Sequence, residues 1–345
     1  MTFPTRIPAA GLLSTLTLRA FTLGALTLGA LALGATQALA QGASGEFPTK
    51  QVNLIVPFPP GGAVDQAGRA IAQALSTTWK QPVVINTRPG AGGGIGAMAA
   101  ANAAPDGYTL LATHPSIISV PEADRVFGRT PGFERHQFAP LALLVADPLV
   151  FVVKGVSPWK TYAEFVADAR KQPDTIAYSS SGAYSAVHLP IEMLTHAAGI
   201  KLRHVSYSGG GPALTAVLGG HVAATAGAPA VLAPQIKAGQ LRALVVTGTK
   251  RHPLLPDTPT AMELGYKDVE FYLWVGLFAQ AKMAEPLQAQ VRRDIGRAVK
   301  DPDFTANMAK LGAPLDYRDG RAFAEFLDQD AARISAAIKR IGKVD

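Results

Sequence analysis

From residue 52 onward, short apolar runs alternate with amphipathic segments, the pattern of strands and helices taken in turn. Residues 52–56 read as a strand. Residues 64–79 read as a helix, with Val64, Ile71, Leu75 and Trp79 on one stripe. Residues 82–86 form the next strand, the loop 87–94 opens a small-residue helix at 95–103, and the turn Pro105-Asp106-Gly107 leads into a strand at 108–113. Residues 114–136 read as polar and irregular. Two strands follow at 138–145 and 149–153, broken at Asp147-Pro148.

The second half repeats the unit. Helices are expected at 162–170, 185–198, 213–218 and 230–237, and strands at 176–179, 202–206, 222–225 and 241–246. After a long apolar run at 271–279, three helices, at about 286–299, 303–311 and 320–341, complete the chain. Repeated βα units predict α/β architecture, each half a mainly parallel sheet flanked by helices.

One stretch bears most directly on chemistry: LIVPFPPGGAVD, residues 54–65. A strand that turns through glycines into a helix leaves N–H groups free at the helix start, and the positive end of the helix dipole favours an anion there. The prolines exclude helix from the turn, and Gly61 and Gly62 let a ligand approach the backbone. Asp65 is either a first-turn acid favoured by the dipole or a ligand contact. Tyr207 and Phe58 either stack on a ligand or simply pack, and Phe58, set between prolines in an exposed turn, is expected at the site. Three strands of the second half likewise end in small-residue turns that open helices, and in open α/β sheets ligands sit outside such strand ends.

The first 40 residues read as an export signal: Arg6 and Arg19 are its only charges, residues 21–33 are rich in Leu, Ala and Gly, and Ala38-Leu39-Ala40 fits a cleavage site before Gln41. Nothing else in the sequence reads as a membrane span. A chain of 345 residues without cysteine relies on its core and excludes thiolate metal sites. The formal charge is +7, or +5 once Arg6 and Arg19 are removed, and it is dispersed, which argues against nucleic acid and for mild attraction of small anions.

Other motifs fall away. Gly92, Gly94 and Ala97 match GxGxxA, but no acid stands at a ribose-like distance, and there is no Walker loop, GxSxG or HExxH. Ser185 and His188 lie one helical turn apart, without an evident acid to orient the ring. His188 and Glu192, at i and i+4, read as a helix-face pair. No catalytic residue, metal site or cofactor is expected.

The runs VPFPPGGAVDQAGRAIAQAL, QPVVINTRPGAGGGIGAMAAANAAPDGYTLLAT, IAYSSSGAYSAVHLPIEML and VSYSGGGPALTAVLGG, in this order, resemble the extracytoplasmic solute-binding proteins of tripartite tricarboxylate transporters, the Bug family. The resemblance runs from about residue 47 to the C-terminus. The chain departs from it at Asn86-Thr87, at Gly68 and at His114-Pro115-Ser116.

The resemblance implies a two-lobed type 2 periplasmic binding fold that closes on a small carboxylate, gripped mainly by backbone N–H groups and water. Carried over, the first-lobe site is Phe58, Pro60, Gly61, Gly62 and Asp65, with His114 and Ser116 on a loop that borders the cleft in relatives. The second-lobe site is Ser180, Ser181, Gly182 and His188, with Tyr207, Ser208 and Gly209. The expected layout is a signal at 1–40, one lobe from 46–147 plus 276–345, and the other from 148–275, hinged near Pro148 and Tyr272. The expected function is a monomeric periplasmic receptor that captures a di-, tri- or aromatic carboxylate and delivers it to membrane transporter subunits. The rivals are a periplasmic sensor for a signalling receptor and a serine hydrolase using Ser181 or Ser185.

Overall fold

The computed structural model describes residues 47–344 together with Met1 and Thr2, so the expected export segment lies, but for those two residues, outside the described residues. In chain order, β1 (Val52–Val56), α1 (Ala63–Trp79), β2 (Val83–Thr87), α2 (Gly94–Ala101), β3 (Thr109–Thr113), α3 (Ser116–Val126) and β4 (Phe138–Pro148) come first. Then follow β5 (Val150–Lys154), α4 (Tyr162–Lys171), β6 (Ala177–Ser180), α5 (His188–Ala198), β7 (Arg203–Ser206), α6 (Gly210–Leu218), β8 (Ala224–Gly227), α7 (Pro229–Lys237) and β9 (Leu241–Val246). The chain ends with β10 (Tyr272–Gln280), α8 (Glu285–Ala298), α9 (Pro302–Leu311), β11 (Leu315–Asp319) and α10 (Gly320–Ile341).

Two sheets result, ordered β11-β4-β10-β3-β1-β2 and β7-β6-β8-β5-β9. Both are mixed. In the first, β1, β2, β3 and β4 run one way and β10 and β11 the other. In the second only β5 opposes the rest. Strands made by βα units are parallel because a helix returns the chain to the same end of the sheet. The exceptions are strands that cross between sheets or that close an edge. The fold is therefore α/β and two-lobed, with β1, β3, β6 and β7 all ending at loops singled out from the sequence.

Close packing of α1 holds the first of those loops. Its buried face includes Val64, Ala67, Gly68, Ile71, Leu75 and Trp79. At Gly68 a Cβ would lie 3.2 Å from Val56 Cγ2, so the helix sits tight against β1. At the other end Trp79 Nε1 donates to the buried Asp294 Oδ2 of α8 at 2.7 Å.

Three local readings differ from the structure. Residues 116–126 are helical despite Pro121, because Ile117, Ile118 and Ala123 gain burial that outweighs one lost backbone hydrogen bond. The strand expected to break near Asp147 instead runs through Pro148, which pairs with Tyr272 at the strand end, where a missing N–H is tolerated. Polar residues 315–319 form an additional edge strand on β4. Among the described residues no helix is long and apolar enough to cross a membrane.

The two sheets are joined where the chain crosses between them at Leu149 and again at 247–271. Thr247 ties these crossings together. Its Oγ1 accepts from Leu149 N at 3.0 Å and lies 2.7 Å from Phe271 O as donor, and its N–H donates to Leu149 O at 2.9 Å. Thr247→Val should leave Leu149 N–H buried without its acceptor and lower stability by about 1–3 kcal/mol, read as a lower urea midpoint with an unchanged slope.

Candidate functional site

On the first sheet, the turn after β1 is built around its prolines. Pro60 and Gly61 are exposed and Gly62 is half-buried. Gly61 has φ +94°, a left-handed conformation that suits glycine. Gly62 is the N-cap of α1 and offers no side chain to its first-turn N–H groups. Asp65 is committed within the turn: Oδ2 accepts from Gly61 N at 3.1 Å and Oδ1 from Arg69 Nε at 2.9 Å. It acts as a first-turn acid that reaches back to fix the loop, and it withdraws the Gly61 amide from any ligand.

Of the two alternatives, the structure shows packing for Phe58. It is 3% exposed and stacks on His114 with ring centroids 4.1 Å apart. A Cβ on Gly93 would lie 2.7 Å from Phe58 Cζ. The flanking prolines orient the ring inward, beneath the loop before α2. This also explains the glycine run there, since a Cβ at Gly96 would lie 2.6 Å from Pro57 Cβ. Those glycines serve close packing around the β1 turn.

His114 and Ser116 are both buried. Ser116 N donates to His114 Nδ1 at 3.3 Å. Ser116 Oγ accepts from Ala186 N at 3.2 Å, a contact to the turn that follows β6 in the second sheet.

On the second sheet that turn is dense with internal bonds. Ser180 Oγ accepts from Gly182 N at 3.1 Å and lies 2.6 Å from His204 Nε2. Ser181 Oγ donates to Ser185 Oγ at 2.8 Å, and Ser185 Oγ accepts from His188 N at 3.3 Å. Ser185 is thus outside α5, which begins at His188, and caps it. Tyr207 N donates to Ser180 O at 3.0 Å, extending the β6–β7 pairing past its end. Ser208 is exposed, and Gly209 is the N-cap of α6, again without a side-chain cap.

The two sets of loops meet through glycine. A Cβ on Gly209 would lie 2.5 Å from Pro59 Cδ, and one on Gly211 2.6 Å from Pro60 O. A Cβ on Gly182 would lie 2.8 Å from Gly92 Cα. The N-termini of α1 and α6 therefore converge from opposite sheets. Beside the Gly92–Gly182 contact opens a cavity of about 370 Å³, lined by Gly92, Asp124 and Arg129 on one side and Gly182, Tyr184 and Tyr207 on the other. Asp124, Arg129 and Tyr184 were not singled out from the sequence; they come from a stretch read as irregular and from the middle of a serine-rich turn. A larger cavity, about 720 Å³, lies by the crossover against Pro148, Tyr272 and Met308, and no expected site residue lines it.

Charge at the site is muted. Burial holds His114 down to about 3 and His204 down to about 4, and His188 well below 6.5 through burial and then the neighbouring His204. Glu192 is raised by burial, and its Oε1 accepts from the Tyr178 hydroxyl. His188 Nδ1 accepts from Tyr184 N at 3.0 Å, which places its ring proton on Nε2. The ring thus has no free acceptor for a serine proton, and Glu192 Oε1 stands 4.0 Å from Nε2, beyond hydrogen-bond reach. Among the described residues no group of three His, Cys, Asp or Glu is placed to hold a metal.

Residues 67–343 match the family described as "Tripartite tricarboxylate transporter family receptor". The protein BugT of Bordetella pertussis is 32% identical over 309 residues, 89% of this chain and 94% of that protein. The solved structure of the periplasmic binding protein BugD superposes with TM-score 0.79 at 31% identity, covering 86% of this chain and 99% of that one. MatC from Rhodopseudomonas palustris, solved with bound malate, superposes with TM-score 0.79 at 28% identity, covering 85% of this chain and all (100%) of that one.

The buried histidines give a pH signature. Their folded values lie below the ordinary 6.5, so the unfolded chain binds more protons between about pH 6.5 and 4. Their contribution is intact above pH 6.5 and is lost as pH falls toward 4. The urea midpoint should drop over that interval, and His204→Asn should drop less; an equal drop would remove His204 from the account.

Proposed function

Since this chain belongs to the tripartite tricarboxylate transporter receptor family, we propose that it captures a small organic carboxylate between its lobes and delivers it to a membrane transporter. It is a solute-binding protein and not an enzyme, as are its family and structural neighbours. The reading has the protein act in the periplasm as a monomer, exported by the segment at 1–40. Malate in one structural neighbour and adipate in another support a carboxylate, and a dicarboxylate first.

One observation carries this reading: two helix N-termini without side-chain caps, at Gly62 and Gly209, converge from opposite sheets at loops made of glycine. Their N–H groups and dipoles favour negative charge without a buried cation. The Gly61 and Gly182 amides are held by Asp65 and Ser180, so the grip falls on the first-turn N–H groups of α1 and α6 and on the exposed Ser208. Each hydrogen bond to a carboxylate contributes roughly 1.5–3 kcal/mol. A few of them, offset by the cost of association, leave binding near the micromolar range.

Closure is a population shift, and it needs ligand contacts in both lobes. The crossovers at Leu149 and Thr247 serve as the hinge, because among the described residues only there does the backbone pass between the sheets. Sensing for a signalling receptor would use the same site; the receptor family favours transport.

The test is a thermal-shift screen of the full-length exported protein with mono-, di-, tri- and aromatic carboxylates, amines and sugars. Malate or adipate should raise the melting temperature, and Gly62→Val should abolish that rise while the unliganded protein stays folded. A Cβ at Gly62 has no atom nearer than 3.9 Å, and the extended backbone there, with φ −93°, suits a side chain. A response confined to amines or sugars overturns the carboxylate reading.

A further inference from the structure

The turn between β6 and α5 belongs to the second sheet by sequence, yet it is fastened to elements of the first. Ser119 Oγ of α3 donates to Tyr184 O at 2.5 Å, and Ser116 Oγ accepts from Ala186 N at 3.2 Å. The Tyr184 hydroxyl donates to Gly342 O at 3.2 Å and accepts from Val344 N at 2.9 Å, so the segment after α10 closes over it. Its ring lies 5.3 Å from that of Phe127, at the end of α3, and 5.5 Å from that of His188. Tyr184 is 5% exposed.

Its backbone is strained. Tyr184 has φ +54°, and few non-glycine residues adopt that region. Ala91, in the first-sheet loop that meets this turn, has φ +50°. Two left-handed non-glycine residues therefore flank the Gly92–Gly182 contact, both against the 370 Å³ cavity. Such conformations persist where the surroundings over-determine them, and they concentrate at sites that switch. At Tyr184 the determinants are identifiable. The N–H is held by His188 Nδ1 from its own lobe, while the carbonyl and hydroxyl are held from the other side by Ser119 and the C-terminal segment.

We propose that Tyr184 is a positioning residue that couples lobe closure to the shape of the second-lobe turn, acting as a clasp that is made only when the lobes meet. The clasp rests on the carboxylate-receptor reading for its purpose, but not for its existence. When the lobes part, Ser119 and residues 342–344 leave Tyr184 together. The left-handed residue then loses what holds it, and the turn bearing Ser181 and Gly182 relaxes. The closed population, and with it the apparent affinity, depends on these contacts as well as on the ligand. Ligand bound in the cleft is correspondingly slow to leave.

The chain has no cysteine, so a lobe-to-lobe distance is directly measurable. Spin labels at Gln73→Cys on α1 and Lys171→Cys on α4, both exposed, report it in the full-length protein. Tyr184→Phe keeps the ring against Phe127 and His188 and removes only the hydroxyl bonds. Truncation after Ile341 removes their partners. Each should broaden the distance distribution toward an open form without ligand. Each should also raise the malate dissociation rate by about tenfold, the scale of one to two hydrogen bonds. The combined variant should do no more than either alone, and Ser119→Ala should act in the same direction. A purely structural role would lower the melting temperature and leave the distance and rate untouched, and that result overturns the clasp. If malate fails to bind the unaltered protein while the distances still shift, the carboxylate reading is at fault and the clasp stands.

Discussion

The structure depends on loops of the two sheets approaching each other through glycine. At Gly209 and Gly211 against residues 59–61, and at Gly182 against Gly92, a single added Cβ would fall within 2.5–2.8 Å of the opposite loop. No rotamer change removes a Cβ, so these positions set how closely the two sets of loops approach. The same bareness is what allows an anion to reach N–H groups at a helix start. Close approach and the proposed anion affinity are thus two results of one composition, glycine in the turns that follow β1, β2, β6 and β7.

The electrostatics follow from that arrangement. A buried cation would bind a carboxylate strongly but would carry a desolvation penalty whenever it was buried without its partner. Here the titratable rings near the cleft, His114, His188 and His204, are held neutral by burial. In the proposed site the favourable potential comes from fixed backbone dipoles, which do not depend on pH. Asp65 is compatible with this because its charge is spent locally on Gly61 N and Arg69.

Motion is confined by the same economy of contacts. The sheets share two crossings, both bonded to Thr247. Apart from these crossings, the turn around Tyr184 is gripped by α3 and by the segment after α10. In the proposed closure, opening breaks the Tyr184 bonds to Ser119 and to residues 342–344 while the Thr247 bonds remain.

Much of this was legible in the residues themselves. Period-two and period-3.6 patterning located nearly every strand and helix, the Pro-Gly turns marked the loops, and separated motifs indicated the family. Local composition acts on dihedral angles and on which face is apolar, and those are short-range properties. What lay beyond it were outcomes set by partners distant in sequence: Phe58 packed under Gly93, α3 formed despite Pro121, residues 315–319 recruited as an edge strand, and Tyr184 held left-handed by Ser119 and residues 342–344. In each case burial or a hydrogen bond made across the tertiary structure outweighed a local preference of comparable size, and only the folded arrangement supplies those contacts.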